Sequence, residues 1–98
     1  MKIRASRTYS TNSNHYFISK EFECSVIPVK EMCFTDLGLT ENGVIQPVEI
    51  TDVTIDPASN SYHVLLAKDS HEYTKEELKR KFTEMKANGW EYIEDLLA

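Results

Sequence analysis

At 98 residues with 41% hydrophobic content, the chain has the usual size of a single domain and enough apolar material for one compact core. Its net charge of -5 works against broad, nonspecific binding to DNA, which depends on Lys and Arg releasing counterions from phosphates. No apolar run approaches the ~18 residues that cross a bilayer, and the polar start lacks the apolar stretch of a secretory signal, so one cytoplasmic domain over 1–98, free of membrane, is the expectation.

The charge is unevenly placed. Residues 1–20 hold Lys2, Arg4, Arg7 and Lys20 and no acid, whereas residues 21–56 hold eight acids against Lys30 alone. KIRASRTYS alternates with a strand period, TNSN supplies turn formers, and HYFISKEFECSV alternates again, which predicts a first β-hairpin. With Ser10 facing His15, Arg4 falls opposite Glu21 and Lys2 opposite Glu23. Two of the four basic residues are then accounted for by cross-strand charge pairs. Arg7 and Lys20 remain, on the face carrying Tyr9, Tyr16 and Ile18, and must either meet solvent and a partner or reach an acid of the middle segment.

KEMCFTDLGLTENG is ambiguous: a turn of helix around Met32 to Leu37, then a Gly-containing loop at Glu41 to Gly43, with the structure of 27–46 open. Pro28 and Pro47 bracket it and limit continuous strand pairing. PVEITDVTID and SYHVLLAKD flank the turn PASN as a second hairpin. If Asp56 faces Ser61, then Ile55 faces Tyr62, Val53 faces Val64 and Thr51 faces Leu66, while Ile50, Leu65 and Ala67 fall on the other face.

In TKEE, Thr74 and Glu77 have the spacing of a capping box, and Leu78, Phe82 and Met85 form a buried stripe at helical spacing, giving a helix over about 74–88. Glu76 with Arg80 and Glu77 with Lys81 are four apart, the spacing of exposed ion pairs, and Gly89 is the left-handed stop. Residues 90–97 read equally as a strand begun by Trp90 and Tyr92 or as a short helix. The expected fold is α+β: an antiparallel sheet of two β-hairpins covered by a C-terminal helix.

Positive signals for catalysis are absent. Cys24, Cys33, His63 and His71 have zinc-compatible side chains but stand eight or more residues apart, wider than paired structural ligands, so no metal is expected; with no export signal, both thiols are expected to be reduced, Cys24 as a small buried hydrophobe. A Cys–His nucleophile pair would have to be assembled across the fold. Gly38, Gly43 and Gly89 form no phosphate-cradling motif, and no cofactor is expected.

Binding is what remains. The leading expectation is a non-catalytic accessory or inhibitor, of a kind common among small phage and mobile-element proteins. It would bind a protein partner stoichiometrically through an acidic surface of Glu31, Asp36, Glu41, Glu49, Asp52 and Asp56. The alternative is a nucleic-acid-binding accessory using Arg7, Tyr9, His15, Tyr16 and Lys20, basic residues interleaved with rings on which bases could stack. An exposed sheet edge would also permit a homodimer.

Overall fold

The computed structural model of the protein describes residues 2–92. It is a small α+β fold, a curled mixed sheet with one helix near the C-terminus. In sequence order the strands are β1 (Lys2–Thr11), β2 (His15–Glu23), β3 (Cys33–Phe34), β4 (Thr40–Glu41), β5 (Val44–Ile45), β6 (Val48–Asp56), β7 (Ser61–Leu66) and β8 (Glu72–Tyr73), followed by α1 (Lys75–Ala87). The main sheet runs β2-β1-β7-β6-β3, with β8 pairing the far end of β1.

β1 and β2 pair antiparallel with Ser10 opposite His15, Arg4 opposite Glu21 and Lys2 opposite Glu23, the register that the alternating pattern predicts. The Arg4 guanidinium donates to Ser19 Oγ at 3.3 Å. At the turn, Thr11 Oγ1 accepts from the backbone N–H groups of Ser13 and Asn14, the local bonding that makes such residues turn formers.

The sequence predicts an antiparallel sheet, but the sheet is mixed, because β1 pairs parallel with both β7 and β8. β1 thereby becomes an interior strand flanked on both sides, and Ala5 and Tyr9 are fully buried. The β6–β7 pairing follows the expected register from Asp56/Ser61 through Val53/Val64 to Asp52/Leu65 and then shifts, so that Ile50 faces Leu66. Thr51 is the extra residue, not the partner of Leu66, and its hydroxyl donates to the Leu65 carbonyl at 3.1 Å. This bulge has a plain physical reason: it moves Val48 and Ile50 onto the core face, where unbroken alternation would have put Glu49 and Thr51.

The middle segment holds no turn of α-helix. Cys33 and Phe34 instead pair with Glu49 and Val48 as an edge strand, and β4 and β5 form a miniature hairpin across Asn42 and Gly43, at φ 53° and 79°. Two successive positive φ values are what a two-residue hairpin turn of the primed type demands, and Asn-Gly is the dipeptide that accepts them most readily.

In α1, Thr74 Oγ1 accepts from Glu77 N–H while the Thr74 N–H donates to Glu77 Oε1, completing the capping box. Leu78, Phe82 and Met85 are buried as the stripe predicts, with Phe82 edge-on to Tyr9 at 5.5 Å between ring centroids. Gly89 at φ 92° donates to the Lys86 carbonyl and Trp90 N–H to that of Met85, the paired closing bonds of a Schellman motif. That turn drives Trp90 into the core at 1% exposure. Glu91 then exchanges two backbone hydrogen bonds with Ser19 on the outer edge of β2, an isolated bridge and not a strand; residues 93–97 of the segment read as strand or helix lie outside the described residues.

Candidate partner-binding surface

Of the two basic residues left over by the hairpin, Lys20 pairs with an acid, whereas Arg7 bonds to neutral oxygens. Lys20 reaches the middle segment: its Nζ lies 2.7 Å from Asp36 Oδ1, with both side chains largely covered. Asp36 Oδ2 accepts from Trp90 Nε1 at 2.8 Å and from Gly38 N–H at 2.9 Å. Burial by itself would raise the Asp36 carboxyl, but the hydrogen bonds from Lys20, Gly38 and Trp90, with the Lys20 charge, hold it below the usual carboxylate range. Asp36 is therefore a structural acceptor joining the hairpin, the middle segment and the segment after α1. It is withdrawn from the acidic surface.

Asp56 is also committed locally. It accepts from Ala58 N–H at 3.2 Å in the β6–β7 turn and stands 3.9 Å from His63 Nε2, and hydrogen bonding from Ser59 is the main cause that lowers its pKa. The other four acids, Glu31, Glu41, Glu49 and Asp52, are exposed. Backbone pairing brings Glu31 near Glu49, since Glu31 N–H donates to the Ile50 carbonyl, and Glu41 lines the same groove as Glu49. Neighbouring them in the chain are apolar side chains open to solvent, Val29 and Met32 beside Glu31 and Val44 and Ile45 after Glu41, between 41% and 59% exposed.

The residues proposed for nucleic acid do not form one surface. Tyr9 and Tyr16 are buried, so neither ring offers a face to a base, and Lys20 is paired with Asp36. His15 is exposed at the hairpin end, whereas Arg7 turns into the groove that Glu41 and Glu49 line. Its Nε donates to the Ala67 carbonyl at 2.9 Å and its Nη1 to the Tyr9 hydroxyl at 3.1 Å.

That groove is open and about 750 Å³ in volume, bounded by the β4–β5 hairpin, the start of β6, residues 67–73 and one face of α1. Lys81 enters it from the helix. Instead of pairing with Glu77, whose carboxylate is engaged in the cap, Lys81 donates to the Thr40 carbonyl at 3.0 Å and lies 5.8 Å from the ring centres of both Tyr9 and Tyr73. Asp69 is occupied on both oxygens, accepting from the Tyr73 hydroxyl at 2.6 Å and His71 N–H at 2.9 Å. Burial, followed by the hydrogen bond and charge of Asp69, pushes the Tyr73 phenol well above its ordinary pKa. Burial likewise raises Tyr9, against the opposing effect of Arg7. Both phenols are neutral hydrogen-bonding groups.

The groove is missed by sequence reading because Arg7, Thr40, Asp69, Tyr73 and Lys81 are distant in sequence. One signal was present: Asn42-Gly43, with Glu41 and Val44 on either side, announces the hairpin that forms its wall. The four zinc-compatible residues are dispersed, with Cys24 half-buried, Cys33 exposed and both thiols free, His63 on β7 and His71 before β8. No helix among the described residues is long and apolar enough to cross a membrane. No protein-family model matches the sequence, and comparison with curated proteins and with solved structures finds no match either.

Proposed function

We propose that the protein is a non-catalytic accessory or inhibitor that binds a protein partner in a fixed ratio. The observation that supports this reading is the exposure of the carboxylates Glu31, Glu41 and Glu49 together with that of apolar neighbours in the chain, Val29 and Met32 beside Glu31 and Val44 and Ile45 after Glu41. Carboxylates steer a basic partner into register, while apolar neighbours supply the area that holds it once docked.

The test is retention of partner from a nuclease-treated lysate by the wild-type protein and by a Glu31→Lys/Glu49→Lys variant of unchanged circular dichroism. Partner that is retained by the wild type, released by salt and lost with the variant is the expected result. Retention unaffected by both changes overturns the reading.

A further inference from the structure

We infer that the floor of the groove between the β4–β5 hairpin and α1 is a binding site for a carboxylate, carried by a peptide segment that is otherwise basic. Two cations, Arg7 and Lys81, line the groove. Arg7 and Lys81 lie 5.1 and 5.8 Å from the ring centre of the same residue, Tyr9, and both are partly covered. Their hydrogen bonds go to neutral oxygens only: the Ala67 carbonyl, the Tyr9 hydroxyl and the Thr40 carbonyl. Among the described residues neither forms an ion pair. The nearby acid, Asp69, has both oxygens committed to Tyr73 and His71.

A partly covered guanidinium and ammonium bonded to neutral acceptors keep unused donors, and an anion accepting from both would make charge-assisted bonds at a site already partly desolvated. Two neutral phenols and the Asp69 carboxylate complete the floor, which therefore holds two cations against one acid. The Tyr9 hydroxyl accepts from Arg7, and the Tyr73 hydroxyl donates its hydrogen bond to Asp69, so neither adds negative charge.

The walls have the opposite sign. Glu41, Glu49, Glu77 and Glu84 line them, against Lys68 and Arg80. A polyanion such as a nucleic-acid strand would meet those carboxylates on its way in, whereas a single carboxylate carried by a basic segment matches both floor and walls. The terminal carboxylate of a peptide and a Glu or Asp side chain offer the same chemistry, and the test separates them.

The inference rests on the protein-binding reading above. Three peptides with the body Lys-Lys-Ser are titrated by isothermal calorimetry: one ending in Leu with a free carboxylate, one ending in Leu carboxamide, and one ending in Glu carboxamide. The free acid is expected to bind at least tenfold more tightly than the Leu carboxamide. The Glu carboxamide reports the source: if it matches the free acid, a side-chain carboxylate suffices; if it matches the Leu carboxamide, the site reads a peptide terminus. In Lys81→Met, which keeps the aliphatic stem in place, the tenfold difference is expected to collapse, and Arg7→Gln gives a second, independent loss. Equal affinities for all three peptides, no heat from any of them, or an unchanged difference in a folded Lys81→Met protein overturns the inference. If Lys81→Met leaves partner capture intact while Glu31→Lys/Glu49→Lys abolishes it, the carboxylate site falls and the protein-binding reading stands.

Discussion

Lys20 and Asp36 form a 2.7 Å ion pair that ties the basic N-terminal hairpin to the acidic middle segment, and Trp90 shares the same carboxylate from beyond the helix. The electrical lopsidedness of the sequence is in this respect internal to the fold. One cation of the first hairpin is answered by one acid of the middle, under the indole that closes the core.

Removing that acceptor is expected to be costly and to alter acid sensitivity. Asp36→Ala leaves Lys20 and the Trp90 N–H without their partner, for a loss of about 2 to 4 kcal/mol in urea unfolding. The sign of the pH dependence follows from the depressed pKa. The folded state holds the Asp36 proton less tightly than the unfolded state, so its stabilisation is complete above the unfolded value of about 3.8 and is lost as pH falls below it. Asp36→Asn is expected to flatten the fall in stability as pH drops below about 3.8; an unchanged slope there refutes the assignment.

Gly38 lies against the same indole. A Cβ there would stand 2.5 Å from Trp90 Nε1 and 2.6 Å from its Cδ1, too close for either atom. Gly38→Ala is expected to cost about 1 to 3 kcal/mol through displacement of the ring, accompanied by a shift in tryptophan fluorescence. Wild-type stability and an unshifted spectrum would show that the ring has room to move.

The capping box is a separable element. Thr74→Ala removes the acceptor for Glu77 N–H and is expected to cost about 1 kcal/mol, which in a domain of this size lowers Tm by about 4 to 8 °C. Gly43→Ala tests the other turn: at φ 79° with nothing near its missing side chain, the loss comes from backbone strain alone, about 1 kcal/mol. Neither change touches the groove floor.

Charge at β6 is expected to govern association and not folding. Glu49→Lys sits on an exposed strand position, so its unfolding free energy is expected within about 0.5 kcal/mol of wild type, while the association rate with a basic partner falls and the salt dependence of that rate flattens. Stopped-flow association at two ionic strengths measures both.

What is legible in the sequence is what depends on near neighbours. The first hairpin follows from strand alternation broken by four turn formers, and the helix from Thr74, Glu77 and the Leu78, Phe82, Met85 stripe, because these signals act within one turn or one strand pair. The parallel seat of β1 beside β7 left no local mark. Nor did the Thr51 bulge, whose only trace was an apolar Ile50 on the expected polar face. The same division holds at the surface. Glu31, Glu41, Glu49 and Asp52 are exposed as an acidic patch requires, whereas Asp36 and Tyr9 are drawn inward by Trp90, Lys20 and Phe82, partners that stand far away in the sequence.

The interior place of β1 governs how the molecule assembles. Ile3 pairs with Phe22 on one side and with Tyr62 on the other, so one neighbour follows soon after β1 and the second only after the whole middle segment. The entropy of closing a loop rises with its length, and the parallel seam between β1 and β7 encloses that segment. The β1–β2 and β6–β7 pairs join near neighbours in sequence, so their meeting along the parallel seam is expected to be the slow step of folding. Substitutions at Ala5 or Val64, on the seam, are therefore expected to slow folding, whereas Thr74→Ala at the helix start speeds unfolding.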